Sequence, residues 1–203
     1  MALFYLIRHA ATEGIGRMIA GRAAGVQLSR QGAEQVDALA ERLASEPIRR
    51  VISSPLERTR ETAIRLTKRL GLELKTSGQL IEVDFGDWTG RTFEELDRDP
   101  RWKAFNMFRS GTRIPNGETM LEAQARIVSL MLQIHKEDPD TIVALISHGD
   151  VIRAALLYWL GMPLDLVHRL EIAPASISAV RLDSFGAQVV LLNCGAATLW
   201  GEQ

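Results

Sequence analysis

The stretch Thr141-Ile142-Val143-Ala144-Leu145-Ile146-Ser147-His148-Gly149-Asp150 decides how this chain folds. Thr141 to Ile146 is an unbroken β-branched and apolar run, the pattern of a strand buried on both faces of a parallel sheet. Immediately after it come a histidine, a glycine and the segment Val151 to Leu160, which is apolar almost all round except for Arg153. That segment reads as a well-buried helix, ended by Gly161 and Pro163. Near the other end of the chain, Leu3 to Ile7 is a second continuous apolar run, closing on Arg8-His9. Two buried strands that each end in a histidine predict an open α/β sheet. In such sheets, ligands bind in the crevice at the C-terminal strand ends.

The rest of the pattern alternates. Ser29 is placed to cap a helix whose stripe is Ala33, Val36, Leu39, Ala40 and Leu43, and Pro47 stops it. Arg50 to Ser53 is a short strand. Ser54-Pro55-Leu56-Glu57 predicts a helix start, with Ser54 as cap, Pro55 in the first turn and Glu57 completing a capping box. That helix runs toward Leu70 and Gly71. Leu72 to Thr76 is a weak edge strand, and Leu80 to Gly90 a loop bearing Glu82, Asp84 and Asp87. Residues 91–117 are polar, rich in arginine and aromatics, and interrupted by Pro100 and Pro115; they read as a lid-like insertion of short helices and loops over one end of the domain. Glu118 to His135 is an amphipathic helix. Ile177 to Leu182 and Gln188 to Leu192 form a closing strand pair. The expected fold class is α/β: a three-layer α/β/α sandwich with a mainly parallel sheet and one antiparallel strand.

The chain has 203 residues, which suits one domain spanning 1–203. Lysine and arginine total 24 against 25 acidic residues, a net charge of −1. That balance argues against a general nucleic-acid or membrane-surface partner, which needs a basic excess. The single cysteine, Cys194, excludes an internal disulfide framework and thiolate zinc sites, and it reads as a small buried residue in or just after the last strand. No signal-peptide core or bilayer-length apolar segment stands out, so the expected location is cytoplasmic. Monomer and homodimer are left open, since the apolar closing segment suits either.

Four histidines are present: His9, His135, His148 and His168. His9 and His148 share the strand-end setting, one preceded by Arg8 and the other followed by Gly149 at a helix start. An arginine, a glycine turn and a helix N-terminus are parts that bind phosphate. His135 and His168 lack that setting and read as structural or solvent-exposed. Two residues apart on a helix, Arg58 and Arg60 lie about 200° from each other and cannot serve one pocket. Arg60 reads as a surface cation, paired with Glu57 or Glu61. Arg17, Arg22, Arg91, Arg101, Arg109 and Arg113 are candidates for the entrance of a site and for recognising an anionic leaving group, or equally solvated surface arginines. Trp88, Trp102, Trp159 and Trp200 read as packing residues, with Trp88 and Trp102 placed to shape a pocket.

Leu6-Ile7-Arg8-His9 with Thr12, Ser53-Ser54-Pro55-Leu56-Glu57-Arg58-Thr59-Arg60-Glu61-Thr62-Ala63, Leu80-Ile81-Glu82-Val83-Asp84-Phe85-Gly86-Asp87-Trp88-Thr89-Gly90, and Ser147-His148-Gly149 with Ile152-Arg153 occur in this order. Together they resemble the four blocks of the histidine phosphatase superfamily, with the phosphoglycerate-mutase-like fold. Pro115-Asn116-Gly117-Glu118-Thr119 resembles a weaker block. The resemblance implies a phosphohistidine nucleophile at His9. It places Arg8, Arg58 and His148 around the phosphate, Glu82 as general acid, and Thr12 and the Gly149 amide as further substrate contacts. It selects Arg58 over Arg60, and Glu82 over Asp84 and Asp87. No cofactor and no metal are implied, and the expected partner is a small-molecule phosphate ester.

Departures from the family pattern are Ala10 and Ala11 after the first histidine and Ile15 where many members have asparagine. The leading expectation is a phosphatase. A mutase-type phosphotransferase is the alternative, disfavoured by the short chain and by Asp150, where mutases commonly carry asparagine. A non-catalytic phosphate-binding module would be expected to lose one of His9, Arg58, Glu82 or His148, and all four are present.

Overall fold

A computed structural model describes residues 1–14 and 16–195. Ile15, Trp200 and the tail after Gly195 therefore lie outside the described residues. Six strands form one sheet: β1 (Ala2–Arg8), β2 (Arg50–Ser53), β3 (Leu74–Thr76), β4 (Ile142–Ser147), β5 (Ile177–Asp183) and β6 (Gly186–Cys194), in the order β3-β2-β4-β1-β5-β6. The pairings β2–β3, β2–β4 and β1–β4 are parallel, and β5 runs antiparallel to both β1 and β6. This is the expected mainly parallel sheet with one antiparallel strand.

Strand alternation splits the core into two layers. Phe4, Leu6, Ile52, Val143 and Leu145 face one side, where α5 (Met120–Glu137) and α6 (Gly149–Trp159) cover them. Tyr5, Ile7, Val51, Ala144 and Ile146 face the other, against α1 (Arg30–Leu43) and α2 (Glu57–Leu70). Two short helices, α3 (Phe93–Leu96) and α4 (Pro100–Met107), lie in the aromatic insertion, whose Trp102 and Phe105 pack with Trp88 just before it, ring centroids 5.3–5.9 Å apart.

Most helix boundaries follow the predicted chemistry. Ser29 caps α1 by accepting from the Gly32 amide, and Gly71 closes α2. Helix α5, expected from Glu118, begins instead at Met120, where Thr119 and Glu122 form a capping box. The start of α2 differs from expectation. Leu56 is the N-cap without a side-chain bond, Pro55 precedes the helix, and Glu57 is its first residue. The Ser54 hydroxyl is instead within 2.8 Å of His148 Nε2, and Glu57 accepts from the Gly25 amide. Arg58 is thus the second helical residue rather than the fourth.

Helix α1 begins against the chain just beyond β1: Ser29 donates to the Ala11 carbonyl through both its amide (2.9 Å) and its hydroxyl (3.2 Å). A Cβ on Gly32 would lie 2.0 Å from the Ala11 oxygen. Alanine gains about 1 kcal/mol of helix propensity over glycine, but overpacking against backbone costs about 1–3 kcal/mol and forces the segment after His9 to shift. Gly32→Ala is therefore expected to lower the urea midpoint. An unchanged or raised midpoint would contradict this close packing.

Candidate active site

The register of the parallel strands sets the site. Arg8 pairs with Ser147 and Ser53 with Ile146, so His9, His148 and Ser54 leave the same edge of the sheet, one residue past their strands. The His9 amide continues the ladder by donating to the Ser147 carbonyl at 3.0 Å. The two imidazoles meet edge to face with centroids 5.3 Å apart.

His9 Nδ1 lies 2.8 Å from the Ala10 carbonyl oxygen, which can only accept. The proton therefore sits on Nδ1 and Nε2 keeps its lone pair. Burial, then Arg58 and Arg8, pull the His9 pKa down to about 3, so the ring is neutral at physiological pH. His148 is fully buried, and burial followed by His9 and Arg58 holds its pKa well below the ordinary histidine value.

A cleft of about 670 Å³ opens over this edge. Arg8, His9, Thr12, Arg58 and Glu82 line it together. His148 and Gly149 do not reach its wall; they are buried beneath it. A Cβ on Gly149 would lie 3.4 Å from Arg8 Cζ, so the Arg8 guanidinium packs over the first residue of α6. A cation and the positive end of a helix dipole thereby converge, the arrangement that draws in an anion. Arg8 is held by the Ile172 carbonyl (2.6 Å) and Arg58 by the Gly21 carbonyl (2.7 Å). Arg8 Nε and Arg58 Nη1 are buried donors with no acceptor among the described residues. Arg60 is exposed as expected, but it is not bonded to Glu57 or Glu61; these accept from the Gly25 and Leu28 amides.

Glu82 accepts from the Val83 amide at 2.9 Å, and its other oxygen is 3.8 Å from His148 Nδ1. Burial and the Asp150 carboxylate raise its pKa to about 7. The segment bearing it is fixed from behind. Arg22 donates to the Glu82 carbonyl (2.8 Å) and pairs with Asp84 and Glu118. Arg126 binds Glu118 and the Gln79 carbonyl, and the Ser147 hydroxyl binds the Leu80 carbonyl.

The insertion contributes more than sequence reading assigned. Phe93, Trp102, Asn106 and Arg109 line the cleft beside Asp150, Arg153 and His168. Of the six candidate entrance arginines, only Arg109 lines it; Arg22 braces the Glu82 segment, while Arg101 and Arg113 pair with Asp99 and Glu122. His168 is exposed as expected, yet it borders the cleft through a fold no spacing announces. Arg153 is detectable in principle, one turn after Asp150 on α6. Cys194 is half-buried in β6, its sulfur 3.2 Å from an Arg42 nitrogen. A second depression of about 740 Å³, between α1 and α2, is lined by Asp37, Glu41, Arg65 and Arg69. These are already paired at 2.7 and 2.9 Å, and the remaining polar lining residue is Lys68. Among the described residues no His, Cys, Asp or Glu cluster suits a metal ion, and no helix is long and apolar enough to cross a membrane.

The family model of the histidine phosphatase superfamily (branch 1) matches residues 4–195. Phosphoserine phosphatase 1 of Hydrogenobacter thermophilus is 28% identical over 203 residues, covering 95% of this chain and 92% of that protein. A probable phosphoglycerate mutase of Yersinia pestis is 30% identical over 183 residues, covering 89% and 85%. The structure of a mycobacterial glucosyl-3-phosphoglycerate phosphatase superposes with a TM-score of 0.85 at 25% identity, covering 95% of this chain and 99% of that one.

The raised pKa of Glu82 carries a stability cost of defined sign. Below pH about 4.5 the folded and unfolded chains both hold its proton; up to about pH 7 only the folded chain does, so its contribution falls as pH rises through that window. Glutamine cannot ionise. The stability of Glu82→Gln relative to the native protein should rise between pH 5 and pH 8, by at most about 3 kcal/mol. Urea unfolding at both pH values tests this; a constant difference would mean that Glu82 titrates normally.

Proposed function

The chain belongs to the histidine phosphatase superfamily, and from that premise we propose that it hydrolyses small-molecule phosphomonoesters through a phosphohistidine on His9, without a metal. The observation that carries this reading is a buried, neutral His9 with its Nε2 lone pair free, on a cleft it shares with Arg8, Arg58 and a Glu82 titrating near 7.

The phosphoryl group docks between Arg8 and Arg58, over the N-terminus of α6, with Thr12 on the cleft wall. His9 Nε2 attacks phosphorus in line with the ester oxygen, and Glu82 delivers its proton to that oxygen as the P–O bond breaks. The alcohol leaves. Glu82, now a carboxylate, takes a proton from water as the water oxygen attacks the phosphohistidine. Inorganic phosphate and the starting forms of His9 and Glu82 result. The two arginines and the helix dipole neutralise the phosphoryl oxygens, the task a metal performs elsewhere. A group titrating near the working pH can serve as acid in one step and base in the next. The phosphatases among the relatives support the hydrolytic outcome. The relative named as a probable mutase keeps phosphoryl transfer between substrates as the alternative. One assay with 3-phosphoglycerate and a bisphosphate primer separates isomerisation from phosphate release.

Aryl phosphates should be turned over in excess chelator, with acid-labile phosphate trapped on His9. His9→Ala is expected to abolish both; full turnover by that variant would overturn the mechanism. For alkyl esters, kcat should fall above pH about 7 as Glu82 loses its proton. Glu82→Gln should cost about 10²–10⁴-fold with alkyl esters and far less with 4-nitrophenyl phosphate, whose leaving group needs little protonation. Equal losses on both substrates would remove Glu82 from the role of acid.

A further inference from the structure

Beyond the phosphoryl-binding groups, the cleft lining separates into two chemical sets. Ile19, Val26, Phe85, Phe93 and Trp102 are apolar. Arg109, Asp150, Arg153 and His168 form a connected polar cluster. The cleft volume, about 670 Å³, falls in the range of sites for ligands well larger than a phosphate group, roughly 300–1,000 Å³.

The polar cluster is not charge-balanced. Asp150 faces two guanidiniums, with Arg153 Nη1 at 3.0 Å and Arg109 Nη1 at 3.7 Å. Arg153 is further committed to the Leu170 carbonyl at 2.9 Å. Arg109 is only 3% exposed. Its Nη2 donates to Asn106 Oδ1 at 2.6 Å and lies 3.3 Å from His168 Nε2, and its Cζ sits 4.3 Å from the Phe105 ring centroid. A guanidinium can only donate, so His168 accepts there and adds no positive charge. Nε and Nη1 of Arg109 have no hydrogen-bond acceptor among the described residues. Two cations and one anion leave a single positive charge, on a buried side chain whose Nε has no partner among the described residues and whose Nη1 faces Asp150 only at 3.7 Å. Such a group is costly unless an anion meets it.

We propose that this is a leaving-group subsite, and that the preferred substrates are phosphate monoesters whose alcohol has an apolar body ending in a carboxylate. The body packs on Phe93 and Trp102, and the carboxylate accepts from Arg109. One negative charge matches the single excess positive charge; a second phosphate would overshoot it. The proposal rests on reading the cleft as a phosphomonoesterase site and adds the class of ester it selects.

The test compares 4-(carboxymethyl)phenyl phosphate with its carboxamide, which has nearly the same shape and phenol acidity but no charge. Phenylene bisphosphate serves as the doubly phosphorylated arm. The native protein should prefer the acid over the amide roughly tenfold or more in kcat/KM, the worth of a charged hydrogen bond. Arg109→Gln should bring that ratio close to one. Phe93→Ala should lower both rates together and leave the ratio standing. Calorimetry of 4-hydroxyphenylacetate and its amide on the native protein reads the same preference without turnover, and so survives a variant that does not fold. An acid-to-amide ratio near one in the native protein, or a ratio that persists in Arg109→Gln, overturns the subsite. A stronger Arg109-dependent preference for the bisphosphate overturns the carboxylate assignment. Loss of the phosphatase reading is separately visible, as undiminished 4-nitrophenyl phosphate hydrolysis by His9→Ala.

Discussion

The parallel pairing of β1 with β4 is the constraint on which the rest depends. With Arg8 opposite Ser147 and Ser53 opposite Ile146, three strand ends deliver His9, His148 and Ser54 to one edge. A slip of one residue would turn each side chain to the opposite face of the sheet, because the strand period is two. His9 thus inherits its position from the deeply buried strands β1 and β4. Its backbone is pinned on both sides, by the Ser147 carbonyl at its amide and by the Ala175 amide (3.3 Å) at its carbonyl. The next amide, of Ala10, is bound by Thr62 Oγ1 at 3.2 Å, so α2 also holds this turn. The departures at Ala10 and Ala11 sit within this scaffolding, where Ala11 donates to Gln35, and neither side chain lines the cleft.

The same edge collects positive charge, and the manner of holding it matters. The surface arginines Arg65, Arg69, Arg101 and Arg113 are paired with carboxylates. Arg8 and Arg58 are oriented by the backbone carbonyls of Ile172 and Gly21. A carbonyl fixes the direction of a guanidinium without cancelling its charge. Burial lowers the pKa of both groups, and Glu82 partly opposes that, so the cleft stores an electrostatic cost that a bound anion would relieve. The neutral His9 has a cost of the opposite sign to that of Glu82. The folded chain resists protonation of the ring down to about pH 3, so this contribution to stability is lost as pH falls below the ordinary histidine value. The site is thereby most at odds with folding at both ends of the pH range, and between them it keeps the His9 ring unprotonated and the Glu82 carboxyl group protonated.

The sheet was legible because its strands are long apolar runs and its helices carry stripes, caps and stops that act locally. The strand-end placement of His9, His148 and Arg8 was legible because each lies on or next to those strands, whereas Arg58 was chosen over Arg60 by the family resemblance alone. The start of α2 was not legible. Ser54-Pro55 has the chemistry of a helix cap, but the Ser54 hydroxyl lies against a histidine 94 positions away in the chain, a competitor that no local rule contains. The contacts of His168 and Asp150 at the cleft were hidden for the same reason: both depend on Arg109, which the insertion carries in from a distant part of the chain.

Glu82 shows where spacing stops and environment takes over. Three carboxylates, Glu82, Asp84 and Asp87, lie within six residues, and the residues alone give no ground for choosing among them. Their partners do. Asp84 pairs with Arg22 and caps the Gly86 amide, and Asp87 accepts from the Asn116 side chain. Both are thereby committed to holding the loop. Glu82 alone has a buried carboxyl group with no guanidinium hydrogen-bonded to it; its one bond is from the adjacent Val83 amide. Burial then raises its pKa, with Asp150 adding like-charge repulsion, while Arg58 and Arg8 pull in the other direction without prevailing. The brace built from Arg22, Glu118 and Arg126 grips the Glu82 backbone and leaves its carboxyl group untouched. The role proposed for Glu82, losing and regaining a proton, requires such positioning, because a cation bonded directly to its carboxyl group would fix it as the anion.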